Sequence, residues 1–276
     1  MAYIADYWKQ KEERAKKAQE HTKEVGNIFS KFIEKTIQNT FTYSTYFKCS
    51  KNRPNVSTNI VVEDMDSVSA IFKYKPKILN EKIAVLNFAS YKNPGGQFLN
   101  GSSAQEESLC HESFLYNVLS GCKNYYEWNN LNKNKGLYLN RALYSPVVAF
   151  MRPVPHEHVT EDSNIVTHLY ASCDVITCAA PNRYAAQKYL NVSDAENFAA
   201  LKSRVKYVLD IAKENEVDIL ILGAWGCGVF GQDPADVANL FKHYLTTTHK
   251  CFKTVVFAVP KGNNANYAEF EKVFCC

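Results

Sequence analysis

The segment that most restricts the fold is Leu220-Ile221-Leu222-Gly223-Ala224-Trp225-Gly226-Cys227-Gly228-Val229-Phe230-Gly231-Gln232-Asp233-Pro234. An apolar run too short for a buried helix leads into four glycines within nine positions, and Pro234 then suits the first turn of a helix. The reading is a strand over Asp218–Leu222, a loop over Gly223–Gly231 and a helix over Pro234–Leu245. Glycines here let the backbone approach a ligand closely and aim several N–H groups at one anion. The loop lacks the Lys and Ser/Thr of a P-loop and the spacing of a dinucleotide fingerprint. Gly226, Cys227, Gly228, Val229, Phe230 and Gly231 are therefore candidates for a diphosphate cradle that uses no metal. Phe230 is either a wall for a sugar or ordinary core.

Other apolar runs repeat the pattern. Ile60–Val62, Ile83–Ala89, Val147–Phe150, Val175–Ala179 and Thr254–Val259 read as strands. A helix capped by Ser193 or Asp194 runs to about Asn215, with Phe198, Leu201, Val205, Val208, Leu209 and Ala212 as its apolar stripe. Another starts near Ser103 and runs to Leu119, closed by Ser120-Gly121. Cys122–Arg141 reads as a loop region, and Arg152–Asn164, with Pro153 and Pro155, cannot be a regular helix. The alternation predicts an α/β domain, a sheet covered by helices on both faces. Before Arg53-Pro54-Asn55 the style differs: Val25, Ile28, Phe29, Phe32 and Ile33 fall at helical spacing among Lys, Glu and Gln. Residues 1–55 are thus expected to be a helical extension packed on a main domain, 56–276, with a partner-binding arm as the other reading.

Composition narrows the class without naming a function. Hydrophobic residues at 46% and charged residues at 22% exclude a disordered chain. The net charge of +4 is spread along the chain, so no nucleic-acid duplex is demanded, although a phosphate-bearing ligand suits it. Nine cysteines include no CxxC pair, and no secretory segment precedes them. Reduced thiols in a cytoplasmic or nuclear setting are expected. No apolar stretch reaches the ~20 residues of a membrane span, so a soluble protein with no membrane partner is expected.

A second loop leaves a strand at Asn87-Phe88-Ala89-Ser90-Tyr91-Lys92-Asn93-Pro94-Gly95-Gly96-Gln97. Its glycine pair is either a tight turn or a ligand loop at the carboxyl end of a strand. Gln105-Glu106-Glu107 follows at a helix start. Acids in a first turn interact well with the helix dipole, and periodicity does not exclude that explanation. Glycoside cleavage, however, needs a carboxyl group that protonates the leaving oxygen and then activates water. Because consecutive helical residues diverge by ~100°, Glu106 and Glu107 are expected to play different roles.

Together these segments resemble macrodomains, and more closely the bacterial-type poly(ADP-ribose) glycohydrolase family, whose signature is Gly-Gly-Gly followed shortly by Gln-Glu-Glu. The match is Pro94-Gly95-Gly96-Gln97, seven residues, then Gln105-Glu106-Glu107-Ser108-Leu109-Cys110. It continues in Tyr144-Ser145-Pro146-Val147, in Val175–Asn182, in Gly223–Pro234 and in Val256–Val259, over roughly residues 80 to 260. Arg14–Thr22 looks like the opening helix of that family.

The resemblance implies a three-layer α/β/α fold with a mixed central sheet, and hydrolysis of ribose–ribose bonds in poly(ADP-ribose) with release of ADP-ribose. It implies no cofactor. Glu107 would be the general acid and then the base for water, and Glu106 would hold the scissile ribose. Gly95 and Gly96 would border the distal ribose, with Gln105, Asn87 and Asn93 at the same site. The Gly226–Gly231 backbone would hold the diphosphate, and Phe230 would pack on the distal ribose.

One position departs from the signature: Gln97 stands where the third glycine is expected. If that position requires φ > 0, a Cβ there hinders binding. The Tyr- and Asn-rich stretch Asn124–Asn140 is either a surface insertion or a hold for extended polymer. His156-Glu157-His158 lacks a third ligand at a recognisable spacing, so no metal is expected. Cys227, with no assignable His partner, reads as a small residue that fits its loop. Two further readings stay open: removal of a single ADP-ribose from a macromolecule, and a reader that binds ADP-ribose without turnover.

Overall fold

The computed structural model describes residues 2–78, 80–153, 168–262 and 265–275. Seven strands form one sheet in the order β1-β4-β5-β3-β6-β7-β2. They are β1 (Phe41–Tyr43), β2 (Asn59–Glu63), β3 (Ile83–Phe88), β4 (Ala142–Pro153), β5 (His168–Cys178), β6 (Ile219–Leu222) and β7 (Thr254–Ala258). β5, β3, β6, β7 and β2 run parallel, while β4 is antiparallel to β5 and β1 to β4. The sheet is mixed, as expected.

Successive residues of the central strands go to different cores. Ala84, Leu86, Ile176, Leu220, Leu222, Val255 and Phe257 belong to one cluster; Ile83, Val85, Val175, Ile219, Ile221 and Val256 belong to the other. This is the period of two that a strand imposes, and it explains why β3 and β6 read as unbroken apolar runs rather than as alternating ones. The first cluster is closed by α8 (Asp194–Glu214), α9 (Pro234–Thr247) and α10 (Asn266–Phe274). The second is closed by α3 (Ser67–Tyr74), α4 (Gln105–His111) and α5 (Leu115–Gly121), with Ala18 and Val25 of α1 (Ala2–Ile28) and Ile33 of α2 (Ser30–Asn39). Three layers result. Ser193 caps α8 with Glu196 returning the bond to Ser193 N–H, and Asp233 caps α9 ahead of Pro234.

The N-terminal segment is bonded to the rest of the chain. Arg14 Nε donates to Gly101 O at 2.8 Å, and Asn117 Nδ2 donates to Thr22 O at 3.0 Å. β1 extends the sheet beyond β4.

Three expectations need correction. The helix expected from Ser103 to Leu119 is two helices, α4 and α5. Between them Ser113 bridges to Phe150 of β4, and Met151 N–H donates to Glu112 O at 2.7 Å, so bonding to the sheet draws the chain out of the helix. Gly121 is the last residue of α5 rather than a cap beyond it. The expected loop Cys122–Arg141 contains α6 (Lys123–Leu131), which buries Tyr125, Tyr126 and Asn129. In addition, Phe198, placed in the α8 stripe, is exposed, while α7 (Arg183–Leu190) had no signal strong enough to single it out. Among the described residues no helix is long and apolar enough to cross a membrane. All eight described cysteines are free.

Candidate functional site

The site begins where β3 ends. Gln105, the first residue of α4, accepts Phe88 N–H on Oε1 at 2.9 Å and donates from Nε2 to Leu86 O at 2.9 Å and Ser67 Oγ at 3.0 Å. Its amide thus fixes the start of α4 to the strand end and to α3. The two residues that follow are held by the loop after β3. Glu106 accepts Ser90 N–H on Oε2 at 2.7 Å and Asn87 Nδ2 on Oε1 at 3.2 Å. Glu107 accepts Gln97 N–H on Oε1 at 2.9 Å and Ala104 N–H on Oε2 at 3.1 Å. That last bond is the returning half of a capping box; Ala104 has no side-chain acceptor for the other half.

Gly96 is where the two carboxylates converge. Its φ is +62°, and a Cβ would stand 2.6 Å from Glu107 Oε1 and 2.9 Å from Glu106 Oε2. Only glycine leaves both carboxylates in place. Gln97, by contrast, has φ −113°, a conformation open to any L-residue. Its side chain points to solvent, and its Oε1 accepts Asn100 Nδ2 at 2.8 Å. The loop therefore takes a side chain at the third signature position without strain, and the bond to Glu107 comes from the main chain.

Both glutamates are nearly enclosed, at 3% and 5% exposure. Burial, with a smaller contribution from the charge of Glu107, pushes the Glu106 carboxyl up to about 8, against the pull of its Ser90 and Asn87 donors. Glu106 therefore keeps its proton at neutral pH.

The second wall is the glycine-rich loop after β6. Gly226 has φ +80°, and a Cβ there would meet Ala180 Cβ at 2.8 Å and Gln232 Cγ at 2.9 Å. Gln232 is itself buried, donating to Pro181 O at 2.8 Å and to Asn197 Oδ1 at 2.9 Å. Among the described residues nothing accepts from the N–H groups of Gly228, Val229 or Phe230, whereas Gly231 N–H and Gln232 N–H close turns onto Gly228 O and Gly226 O. Three consecutive backbone N–H groups are thus left without an acceptor. Phe230 is half-buried and packs on Tyr138 at 6.2 Å, and Tyr138 stacks on Tyr91 at 4.1 Å. Behind this wall lies Arg204, 1% exposed, whose guanidinium donates to Asn140 Oδ1 and to the carbonyls of Ala179 and Leu137. Burial pushes the Cys227 thiol up to about 12, which removes it as a thiolate nucleophile.

A cleft of about 430 Å³ joins the two walls. Gly226, Gly228, Val229, Phe230 and Gln105 line it, together with Phe88, Ala180 and Trp225. Glu106, Glu107, Asn87, Asn93, Gly95, Gly96, Cys227 and Gly231 are not in the lining; Asn87 and Gly96 instead meet the glutamates behind it. Beyond Gln105 the cleft runs to Asp66, Ser67, Val68, Val259, Pro260 and Asn266. Sequence reading missed this end. Its usable signal was Asp66-Ser67-Val68-Ser69, a helix cap following strand β2, since Asp66 accepts Ser69 N–H at 2.9 Å. Among the described residues no group of three or more His, Cys, Asp or Glu is placed to hold a metal ion, and His156-Glu157-His158 lies outside them.

The microbial-type PARG catalytic domain matches residues 10–153. Among solved structures, poly(ADP-ribose) glycohydrolase from Thermomonospora curvata superimposes with a TM-score of 0.82 at 28% identity, over 95% of this chain and 100% of that one. The same protein bound to the inhibitor ADP-HPD gives 0.79 at 28% identity, with coverage of 95% and 100%. Poly(ADP-ribose) glycohydrolase from Deinococcus radiodurans in complex with ADP-ribose gives 0.76 at 30% identity, over 88% of this chain and 98% of that one. A search of curated proteins found no match. With a family match across more than half of its length and structural matches across nearly all of it, the chain belongs to the microbial-type PARG catalytic-domain family.

Proposed function

We infer that the protein is a poly(ADP-ribose) glycohydrolase, a hydrolase that cuts the ribose–ribose O-glycosidic bond and releases ADP-ribose. The observation that carries this reading is the convergence of two enclosed glutamates against Gly96, beside a cleft whose loop offers three unpaired N–H groups. ADP-ribose has the chemistry for that cleft: a diphosphate for the Gly228–Phe230 donors, a distal ribose between Phe230 and the glutamates, and an adenine for the apolar end at Val68 and Val259. The ADP-ribose complex of the Deinococcus radiodurans relative supports this ligand.

Glu107 donates its proton to the leaving ribose oxygen as the bond from that oxygen to the anomeric carbon breaks. The bonding electrons leave with the oxygen, and the anomeric carbon becomes oxocarbenium-like. Glu107, now a carboxylate, takes a proton from the attacking water, whose oxygen bonds to that carbon. Glu106 holds the scissile ribose through hydrogen bonds. Asn87, Ser90 and Gln97 fix where the two carboxylates lie.

The test is a Glu107→Gln protein. It is expected to bind ADP-ribose within about threefold of wild type while turnover of poly(ADP-ribose) falls by at least the ~10²–10⁴ that a general acid contributes. Unchanged turnover would remove Glu107 from the role.

A further inference from the structure

Three segments around the catalytic end of the cleft carry cations and no carboxylate: residues 88–104, 128–141 and 175–193 contain no Asp or Glu. Hydrogen bonds join them into one ledge. Asn130 Nδ2 donates to Lys92 O at 3.1 Å, Asn129 Nδ2 to Tyr91 O at 2.9 Å, Tyr91 OH to Asn132 O at 2.9 Å, and Asn182 N–H to Gly136 O at 3.0 Å. Not every cation on the ledge is available. Arg141 lies over Trp128 at 4.2 Å, Arg183 pairs with Asp194 at 2.9 Å, and Lys188 is bonded to Tyr184 OH at 2.7 Å. Lys92, Lys133 and Lys135 are exposed, and among the described residues none of them has an ion-pair partner. Glu196 interacts with the charge of Lys135 and is already bonded to Ser193 N–H at 2.8 Å and Ser193 Oγ at 2.7 Å. Glu127, on α6, is exposed.

The position of the ledge relative to the scissile bond is what gives it meaning. Lys92 is two residues from Ser90, whose N–H holds Glu106, and Tyr138 of the ledge packs on Phe230. From this end the cleft runs away, past Gln105 to Asp66, Pro260 and Asn266. One ADP-ribose unit that fills the cleft presents its breaking bond at the glutamates, so whatever is attached beyond that bond leaves over the ledge. A polymer always presents a doubly charged diphosphate there; an acceptor protein presents no fixed charge.

We propose that Lys92, Lys133 and Lys135 form a second anion site that takes the diphosphate of the penultimate ADP-ribose unit, so that this chain prefers polymer to single ADP-ribose. This rests on the glycohydrolase reading. It also assigns a use to the Asn-rich stretch of residues 124–140, whose amides fasten the ledge to the loop after β3.

The experiment measures calorimetric affinity for ADP-ribose and for a linear ADP-ribose dimer, in Glu107→Gln protein that does not consume the dimer. The comparison is with the same protein carrying Lys92→Gln, Lys133→Gln and Lys135→Gln, at low and at physiological salt, with wild-type turnover of polymer followed alongside. The expected result is a dimer affinity about tenfold above that of the monomer at low salt, shrinking as salt rises. In the triple lysine variant that preference falls below about twofold while monomer affinity stays unchanged. Equal affinity for both ligands in the parent, or a preference that survives the three substitutions, overturns the site. A preference lost on substitution, in a wild-type protein that never turns over polymer, supports the site and overturns the glycohydrolase reading instead.

Discussion

Replacing Gly96 with alanine separates this account from one in which the glycine pair is only a turn. The residue sits at φ +62°, and the added Cβ would stand 2.6 Å from Glu107 Oε1. An L-residue in the left-handed region costs roughly 1–2 kcal/mol. Ordinary contact begins near 3.4 Å, so the carboxylate must retreat by about 0.8 Å, or the loop must move by as much. A catalytic group misplaced by about 1 Å costs on the order of 10²-fold in rate. Gly96→Ala is therefore expected to lower turnover of poly(ADP-ribose) about 10²-fold, with Tm down by only about 2 to 6 °C. The cleft lining at Gly226–Phe230 is untouched, so ADP-ribose affinity measured by calorimetry should fall far less than turnover. A folded Gly96→Ala protein with turnover within twofold of wild type would refute the argument that this glycine exists to admit the two carboxylates.

Other perturbations follow from the same geometry. At Gly228 a Cβ meets nothing within 4 Å, so Gly228→Ala should melt within about 2 °C of wild type yet bind ADP-ribose roughly tenfold more weakly, because the methyl group enters the space the diphosphate needs; unchanged affinity would take the diphosphate away from this loop. Gln97→Gly should keep turnover within about threefold, since Gln97 holds Glu107 through its backbone N–H and has φ −113°; a large gain on restoring glycine would show that the side chain obstructs the site. Glu106 holds its proton to about pH 8 when folded, against 4.5 for its ordinary value, so its contribution to stability is full below 4.5 and is lost as pH rises towards 8, at up to about 1.4 kcal/mol per pH unit. Glu106→Gln removes that loss and gives a neutral amide to Asn87, whose Oδ1 is buried without a partner. It should raise Tm by several degrees at pH 8 and hardly at all at pH 5, while abolishing activity; an equal change at both pH values would contradict the burial of a protonated carboxyl.

The fold was legible wherever both sides of a strand are buried, because β3, β6 and β7 then read as short unbroken apolar runs. Caps were equally plain: Ser193 with Glu196, and Asp233 with Pro234, mark α8 and α9 by local chemistry alone. Where tertiary bonds override local preference the sequence misleads. No local signal says that Ser113 will pair with Phe150 and split a helix, or that the polar stretch after Cys122 buries Tyr125, Tyr126 and Asn129 against the core. At the site, Gln105-Glu106-Glu107 and the two glycine loops could be picked out as residue types at a spacing. The supports that fix them could not, since Ser90, Asn87 and Arg204 act through contacts with residues distant in the chain. Gln97 shows the same limit: its tolerance depends on a dihedral angle that the sequence does not display.

The central claim is that this pair of glutamates hydrolyses poly(ADP-ribose), and the most direct measurement is release of free ADP-ribose from the polymer by purified protein in EDTA. The account predicts steady release by the wild-type protein and none by Glu107→Ala protein that still binds ADP-ribose. No release by the wild type, with ADP-ribose binding intact, would contradict it.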